Sequence, residues 1–579
     1  MKRHHALTLG IAIAGTLAAA AAGAATITVN STGDGAGDDG TCTLREAITA
    51  ASTNAPSGAS PGECAGGNPL PTVDAIAFAI AGSGVHTIQP TSLLPPIAEA
   101  VSIDGYTEPG ASPNTLALGD DAVLRIEIDG SLMGSGDMLR LTGPGSTIRG
   151  LVVNRVAGTT LYIGPQGPVD DSTVEGNFLN TDATGTIELR GGNFAVVRVS
   201  GSNNVIGGTA PAARNVIGGG TAFGSHTLQI GGNGNVVQGN YIGIDATGTV
   251  ALQPPDGSNG IGLGPEGPAS NTVIGGDTPG AGNVINATLN AIVLGGGSTT
   301  DTVIQGNFIG TDATSTVPLG GSLGISTNNG PLRAQIGGLT PLAGNVFSGL
   351  GNGMDLVDGP AGFIIQGNRF GTDVTGTVPV PNHGSAIVLT VSGIDGSIVG
   401  GTEPGAANTI AYNCGQGVEV SAGRNHWPVL GNSIHSNGGL GISFLHGTPV
   451  ENDDGDADTG PNDLQNYPVI TSATVSGGSA TISGTLNSTP STAFRLEFFA
   501  SEFCDPTGHG EGEGFIGSTD VATDATGNVA FGPLTFAAPE NAEITATATD
   551  PDGNTSEFSE CAGPHDHMFA DGFDVAGCG

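Results

Sequence analysis

Short apolar segments recur along the middle of the chain, and glycine or asparagine ends most of them. Ala75–Phe78, Val101–Ile103, Leu124–Ile128 and Ile148–Val153 are typical, with three to six residues that alternate with polar positions or are wholly apolar. Period-two alternation and short apolar runs indicate β-strands, and no long stretch has helical periodicity. The pattern predicts short strands joined by tight corners from residue 74 to residue 450.

Two phrases repeat through this region with a common period. Copies of the first, such as GNFLNTDATGT and GNYIGIDATGT, begin at Gly176, Gly239, Gly306 and Gly367. Copies of the second, such as VIGGDTPGAGNVI, begin at Val205, Val273, Ile336 and Val399. The first phrase recurs every 61 to 67 residues, a period typical of a stacked array. We predict an all-β fold whose main domain is a right-handed parallel β-helix of roughly sixteen coils.

Asparagine recurs in both phrases, and a stacked array gives it a physical role. Asn215 lies 25 residues before Asn240, which is about the length of one coil. Asparagine tolerates the left-handed backbone conformation of a tight corner. Stacked asparagine side chains can also hydrogen-bond to one another from coil to coil. We therefore expect an asparagine ladder along the stack.

The two ends of the chain differ from the repeats. Residues 26–73 are expected to form an N-terminal cap, in which a short amphipathic helix covers the open end of the array. An acidic linker is expected at residues 451–468. Longer alternating strands at residues 469–562 predict an antiparallel β-sandwich, and residues 563–579 form a tail.

Residues 1–25 are interpreted as a signal peptide, because Lys2 and Arg3 precede an apolar run that ends in small residues. No second apolar run is long enough to span a membrane, so a secreted or cell-surface protein is expected. The formal net charge is −39, which disfavours nucleic acid and anionic lipid as partners and favours divalent cations.

The six cysteines allow several pairings, which export would permit. We expect one disulfide between Cys42 and Cys64, which flank a short N-terminal segment. A second is expected between Cys504 and Cys561, which bracket the last domain. Cys414 and Cys578 remain without an assigned partner.

The stretch Cys42-Thr43-Leu44-Arg45-Glu46-Ala47-Ile48 resembles the motif of CSLREA-domain proteins, which are secreted bacterial proteins in which it precedes a parallel β-helix. The phrases IDGYTEPGASPNT from Ile103 and DADTGPN from Asp456 are also similar to that family, as are the two repeated phrases. The resemblance covers most of the chain and implies secretion and a β-helix. It implies no catalytic residues.

The end of the predicted β-helix contains the candidate catalytic and sugar-binding residues. His426, His435 and Asp453 are candidates for acid–base chemistry, and the lone Trp427 is a candidate to stack on a sugar ring. The competing interpretation is that these are ordinary corner residues near a domain junction. Three short segments resemble polygalacturonase motifs, namely Asn180-Thr181-Asp182, Asp453-Asp454 and Gly508-His509-Gly510. They fall in different domains, and we interpret the match as coincidence.

Calcium is the candidate cofactor. Asp454, Asp456 and Asp458 place carboxylates at alternate positions, as calcium loops do, although a solvated acidic linker is the alternative. The repeat aspartates Asp182, Asp245, Asp312 and Asp373 either bind calcium as well or close turns through their own backbone. We expect turn closure for these four.

These features favour a secreted or cell-surface rod that binds a polysaccharide or cell-surface glycan without catalysis. The alternative is a polysaccharide lyase or glycoside hydrolase with its site near the last coils. In an enzyme, one substitution such as His435→Ala would abolish turnover. In a binding rod, the loss of binding would be spread over substitutions in many coils.

Overall fold

The structure is a computed structural model, described here for residues 24–192, 195–220, 224–252, 257–295, 299–328, 332–357, 361–390, 397–421, 425–444, 447–563 and 578. The expected signal peptide and the expected C-terminal tail lie almost wholly outside the described residues.

A parallel β-helix forms most of the molecule, which confirms the predicted fold class. Each complete coil contributes one strand to each of three long parallel sheets, here named A, B and C in chain order. The first coil contributes only to sheet A, and the second only to sheets A and B. The strands of sheet A are Thr26–Val29, Asp74–Phe78, Val101–Asp104, Thr147–Arg149, Thr173–Glu175, Val205–Gly207, Val236–Gln238, Val273–Gly275, Thr302–Gln305, Leu332–Gly337, Ala361–Gln366, Ile398–Gly400 and Val429–Leu430. Coils are numbered in this order, from coil 1 to coil 13.

Sheets B and C complete the coils. The strands of sheet B are His86–Ile88, Ile126–Asp129, Leu151–Asn154, Phe178–Leu179, Val216–Ile217, Tyr241–Ile242, Val284–Ile285, Phe308–Ile309, Val346–Phe347, Arg369–Phe370, Thr409–Ala411 and Ser433–His435. Those of sheet C are Leu139–Leu141, Leu161–Ile163, Ala195–Ser200, His226–Asn233, Asn259–Leu263, Asn290–Gly295, Leu323–Asn328, Asn352–Leu356, Ile387–Leu389, Val418–Val420 and Ile442–Ser443, with Ala269–Ser270 paired beside them.

Each sequence repeat spans two coils. In the even-numbered coils 6 to 12 the second phrase forms a loop between sheets A and B, as at Pro211–Ala213. In the odd-numbered coils 5 to 11 the first phrase forms a hairpin between sheets B and C, as shown by the bridge between Ile244 and Ala251. Sheet A has 13 strands in the part of the chain that the structure describes, so the estimate of sixteen coils was too high.

The interior of the β-helix consists of apolar columns that run from coil to coil. In sheet B, Ile217, Ile242, Ile285 and Ile309 are in parallel register, and all four are buried. Such columns place identical side chains about 4.8 Å apart, which lets them pack like the layers of a zipper. The core therefore extends along the whole stack.

A ladder of buried asparagines marks the corner between sheets A and B, as the sequence predicts. Each side-chain amide donates to the side-chain oxygen of the next asparagine, over distances of 2.9 to 3.1 Å. The members are Asn177, Asn215, Asn240, Asn283, Asn307, Asn345, Asn368, Asn408 and Asn432. The same oxygens also accept from backbone amides, as Asn345 Oδ1 does from the amide of Asn307. A corner that would otherwise bury unpaired polar groups is thus fully bonded.

The N-terminal end is closed by the helix Leu44–Thr53. Its first turn is a capping box, in which Thr43 Oγ1 accepts from the amide of Glu46 and the Glu46 carboxylate accepts from the amide of Thr43. Leu44, Ala47 and Ile48 are buried against the first coils. The strand Thr26–Val29, in the segment predicted as a cap, is already the first strand of sheet A.

The C-terminal domain is an antiparallel β-sandwich. One sheet contains Val469–Ser476, Ser479–Asn487 and Asn528–Ala537, and the other contains Gly514–Ala522, Ala493–Ser501 and Glu543–Thr549.

Besides the turn at Pro211–Ala213, 3₁₀ turns lie at Gly105–Thr107, Gly130–Leu132 and Pro461–Leu464.

Disulfides join the cysteines in pairs. Cys42 is bonded to Cys64 and Cys504 to Cys561, which are the two pairs expected from the sequence. Cys414 is bonded to Cys578, so the last coils are tied covalently to the end of the chain.

Candidate functional site

The sandwich closes the C-terminal end of the β-helix with hydrogen-bonding carboxylates. Gly512 pairs with Ile434 as an antiparallel bridge, so the sandwich continues the edge of sheet B. Beside it, Glu511 accepts from the side chain of Asn437 at 2.8 Å and from its backbone amide at 3.2 Å. Asn437 ends a second, shorter asparagine ladder that begins at Asn382.

Two more glutamates from the sandwich bind the last coil in the same way. Glu497 accepts from the amide of Gly431 at 2.8 Å. Glu557 accepts from the amides of Phe444 and Val450, at 2.9 and 2.8 Å. An open β-helix end exposes unpaired donors, and these carboxylates satisfy them.

Burial of these carboxyl groups perturbs their titration. Desolvation raises the pKa of Glu511 to about 8 and that of Glu557 to about 7, although hydrogen bonds from the last coil act in the opposite direction. Desolvation also raises the pKa of Glu497. These shifts predict that the stability of the junction between the β-helix and the sandwich depends on pH.

A cleft of about 850 Å³ opens at this junction. Hydroxyl and aromatic side chains of coils 11 to 13 form one wall, and carboxylates of the sandwich form the other. The polar and aromatic lining residues are Thr377, Thr409, Tyr412, Ser433, His435, Ser501, Glu502, Phe503, Glu513, Glu540 and Asn541. Glu511 is buried in the junction, whereas Glu513, two residues later, lies at the cleft.

His435 is the one member of the sequence-predicted site that lines this cleft. It ends the strand Ser433–His435, its Nδ1 is 3.1 Å from Ser436 Oγ, and its ring meets the ring of Tyr412 edge to face at 5.7 Å. Burial lowers the pKa of His435, while the nearby Glu513 carboxylate raises it. The imidazole is therefore mainly neutral at pH 7 and can both donate and accept a hydrogen bond.

Trp427 does not stack on a sugar, because its side chain is 0% exposed and belongs to the core. Asn462 holds this position, since its side-chain oxygen accepts from the amide of Trp427 and its amide group donates to the carbonyl of the same residue. The expectation of an exposed ring was therefore wrong.

The structure does not bring His426, His435 and Asp453 together. His426 is exposed, has a positive φ and has its Nδ1 3.0 Å from the carbonyl oxygen of Asp552 in the sandwich. It precedes the last strand of sheet A, whereas His435 lies in sheet B of the same coil. Asp453 belongs to the acidic cluster of the linker.

The acidic cluster consists of Asp453, Asp456 and Asp458, whose carboxylate oxygens lie within 4.8 Å of one another. Asp454, predicted as a ligand, is exposed and lies outside this group. Burial and then the charges of the two neighbours raise the pKa of Asp456 to about 6. Within the described residues, Asp458 Oδ1 is buried without a hydrogen-bond partner. Three close carboxylate oxygens are the donor set that calcium prefers.

The repeat aspartates close their own hairpins, as the sequence predicts. Asp312 is representative: its carboxylate accepts from the hydroxyl of Thr314 and from the amides of Thr316 and Val317. Asp182, Asp245 and Asp373 make the corresponding bonds. The hairpins also stack on one another, since the amide of Ala313 donates to the carbonyl of Gly248 two coils earlier.

Sequence reasoning missed the carboxylates of the cleft. Glu502, Glu513 and Glu540 come from the sandwich, far along the chain from His435, and they occur in no recognisable motif. Contacts across the junction, such as the antiparallel bridge between Gly512 and Ile434, bring the two regions together.

Comparison with known proteins adds little to this geometry. No protein-family model matches the sequence, and neither does any curated protein. Similar solved structures include the Dettilon tailspike protein, 13% identical with a TM-score of 0.32 over 84% of this chain and 88% of that one. They also include a tailspike variant of E. coli bacteriophage HK620 in complex with a pentasaccharide, 11% identical with a TM-score of 0.29 over 83% and 85%. The fold assignment rests on the strand pairing of this chain itself.

A third similar structure is tailspike protein 2 from Escherichia coli O157:H7 bacteriophage CAB120, 10% identical with a TM-score of 0.18. It is matched over 87% of this chain and 65% of its own length.

Within the described residues, no helix is long and apolar enough to cross a membrane.

The buried glutamates predict that the junction loses stability as the pH rises. The folded pKa of Glu511, about 8, exceeds its ordinary value of 4.5. Its contribution is therefore complete below pH 4.5 and is lost as the pH rises to 8, at about 1.4 kcal/mol for each pH unit. Glu511→Gln, which mimics the protonated acid, should make the melting temperature depend less on pH between pH 5 and pH 9.

The control is Glu560→Gln, whose carboxylate is 79% exposed and should leave the pH dependence unchanged. Because repulsion within a chain of net charge −39 also grows with pH, only the difference between variant and wild type is informative. An unchanged pH dependence in Glu511→Gln would show that this carboxyl group is not buried at the junction.

Proposed function

We propose that the protein is exported and binds glycan chains, uncharged or containing amino sugars, in the cleft between its last coils and its sandwich. The observation that carries the proposal is the lining of this cleft. Hydroxyl groups of Thr409 and Ser433, the His435 imidazole and the glutamates of the opposite wall are mixed donors and acceptors, as sugar hydroxyls require.

Two aromatic rings and the charge of the cleft support this ligand class. Tyr412 and Phe503 offer apolar ring surface for the C–H face of a sugar. Glu502, Glu513 and Glu540 give the cleft a negative potential, in a chain that is itself strongly acidic. An anionic glycan would be repelled, whereas an amino sugar would be attracted.

Export is supported by the disulfides that the described chain contains and by the sequence of residues 1–25. The CSLREA-like segment supports membership of that family of secreted proteins. Its Cys42 is disulfide-bonded, and its Thr43 and Glu46 form the capping box of the N-terminal helix. We therefore assign this motif a structural role.

A second candidate function is glycoside hydrolysis in the same cleft. It is favoured by the presence of Glu502 and Glu513 close together in the cleft, because glycoside hydrolases use a pair of carboxylates. The amide of Glu502 donates to the Glu513 carboxylate at 3.3 Å, which holds the two residues close together. Binding without turnover remains the function that we put forward first.

The cleft is tested by titrating the mature protein with soluble neutral, amino-sugar and acidic polysaccharides and following both binding and release of reducing ends. We expect binding to neutral or amino-sugar chains that His435→Ala weakens at least tenfold, through loss of a hydrogen-bonding ring. The matched control is His383→Ala, at an exposed position outside the cleft, which should bind like the wild type.

Loss of binding in both histidine variants, or no binding to any glycan, would contradict the proposal. Release of reducing ends would instead support the hydrolase, and Glu513→Gln should then lower the rate at least 100-fold.

We propose calcium as a ligand of Asp453, Asp456 and Asp458. The three carboxylates repel one another, and a divalent cation would relieve that repulsion at a point where the linker meets the sandwich. The amide of Asn466 donates to Asp456, and the amide of Gly455 donates to Asn487 in the sandwich. A bound ion would therefore stabilise the linker and the position of the sandwich.

Calcium binding should raise the melting temperature of the mature protein, because a ligand that binds only the folded state stabilises it. Asp456→Asn should abolish the rise, since it removes one of the clustered charges. The adjacent, exposed Asp454→Asn is the matched control and should keep it. If the melting temperature is the same with millimolar calcium and with chelator, or if both variants behave alike, the site does not exist.

A further inference from the structure

The outer face of sheet B has an apolar column of its own, separate from the core of the β-helix. The residues are in register from coil to coil and point away from the interior columns. They are Val152, Phe178, Val216, Tyr241, Val284, Phe308 and Val346. From coil 11 onward the same position is polar, with Arg369, Thr409 and Ser433. Exposed apolar columns of this kind are normally packed against another segment of the chain or against a partner.

Two ridges border this column and turn it into a groove. On one side stand the loops of the second phrase, whose prolines are Pro211, Pro279 and Pro341. On the other side stand the stacked hairpins of the first phrase, represented by Ala313 and Val374. The two repeated phrases of the sequence are therefore the two walls of one groove.

The chain fills the first half of this groove with its own arm, residues 105–125. The arm leaves sheet A in coil 3, and its base is closed by the bridge between Ser112 and Val123. The hydroxyl of Tyr106 donates to the carbonyl of Gly176 at 2.7 Å. Leu124 packs in the apolar cluster on sheet B. The arm thus covers the column from coil 4 onward.

The tip of the arm ends at coil 7, where it is held mainly through its backbone. The amide of Gly119 donates to the hydroxyl of Tyr241 at 2.8 Å. The Arg214 guanidinium donates to the carbonyls of Leu116 and Ala117, at 3.2 and 2.8 Å, and lies 4.4 Å from the centre of the Tyr241 ring. Backbone contacts of this kind hold an extended segment without selecting most of its side chains.

Beyond the tip the groove continues open, with a volume of about 450 Å³. Its lining is mostly apolar, and Arg214 is the only charged residue among the described residues that form it. Three of its aliphatic side chains are exposed: Leu118 is 60% exposed, Leu342 is 51% exposed and Val374 is 41% exposed. Phe308, in sheet B, is only partly buried.

We propose that the open half of the groove docks an extended, apolar and uncharged peptide segment of a partner polypeptide, placed end to end with the arm. The arm argues for this occupant, because the same groove already holds a peptide segment of this chain in its first half. An acidic segment is disfavoured by the net charge of −39. A glycan is disfavoured by the apolar lining, in which the ring of Tyr241 is itself buried.

The groove is independent of the cleft proposed for glycans. No residue that the structure describes lines both of them. Loss of one activity is therefore expected without loss of the other.

The test uses a fluorescent peptide in which Thr-Leu-Ala-Leu, the sequence from Thr115 to Leu118, occurs twice between terminal lysines. Fluorescence anisotropy with the mature protein should show saturable binding. Leu342→Asp and Val374→Asp should each weaken binding at least tenfold, since each places a charge against the apolar peptide. Both positions are exposed, so both variants should keep the melting temperature of the wild type.

The matched control is Leu70→Asp, at an exposed leucine in the N-terminal segment that should not affect binding. A second peptide with serine in place of each leucine should not bind. Absence of saturable binding, or equal weakening by Leu70→Asp, would overturn the proposal. A concentration-dependent dimer that Leu342→Asp dissociates, without peptide binding, would also overturn it and identify the occupant as a second copy of the chain.

Discussion

The structure depends on one constraint: polar groups buried at the corners of a stacked coil must be paired with one another. Asparagine meets this constraint because its side chain both donates and accepts, so each member of the ladder can satisfy its neighbours on both sides. Asn283, Asn307 and Asn345 show this arrangement, with side-chain bonds of 2.9 Å on either side of Asn307. Such a ladder can be extended coil by coil, but it cannot end without leaving a donor unpaired.

The end of the stack therefore determines the C-terminal architecture. Glu511 receives the last donors of the shorter ladder, and Glu497 and Glu557 receive backbone amides of the last coil. Because these acceptors come from the sandwich, the sandwich must lie against coil 13, and the cleft arises where the two surfaces diverge. The sandwich therefore both covers the end of the β-helix and forms one wall of the proposed binding site.

The repeated features of the structure could be predicted from the sequence, whereas features that occur only once could not. The spacing of Asn215 and Asn240 was enough to predict the ladder, because identical coils impose identical neighbours. The coil number was overestimated because insertions such as the arm lengthen individual coils without adding strands. Trp427 was misjudged because Asn462, which bonds the backbone of Trp427, lies outside the repeats. Similarly, Asp453 and not Asp454 belongs to the acidic cluster. Contacts to the sandwich, such as the bond from the amide of Gly455 to Asn487, orient the linker, and no local pattern encodes these contacts.

The most direct test of the central claim is the free energy of unfolding of Asn307→Ala, measured with denaturant beside Asn328→Ala, an exposed asparagine at the end of a strand. Asn307→Ala removes a side chain that bonds both Asn283 and Asn345. It leaves buried polar groups unpaired, which should cost about 3 kcal/mol. The control should lose less than about 1 kcal/mol. Equal and small losses in the two variants would contradict the account, since the ladder would then not hold the coils together.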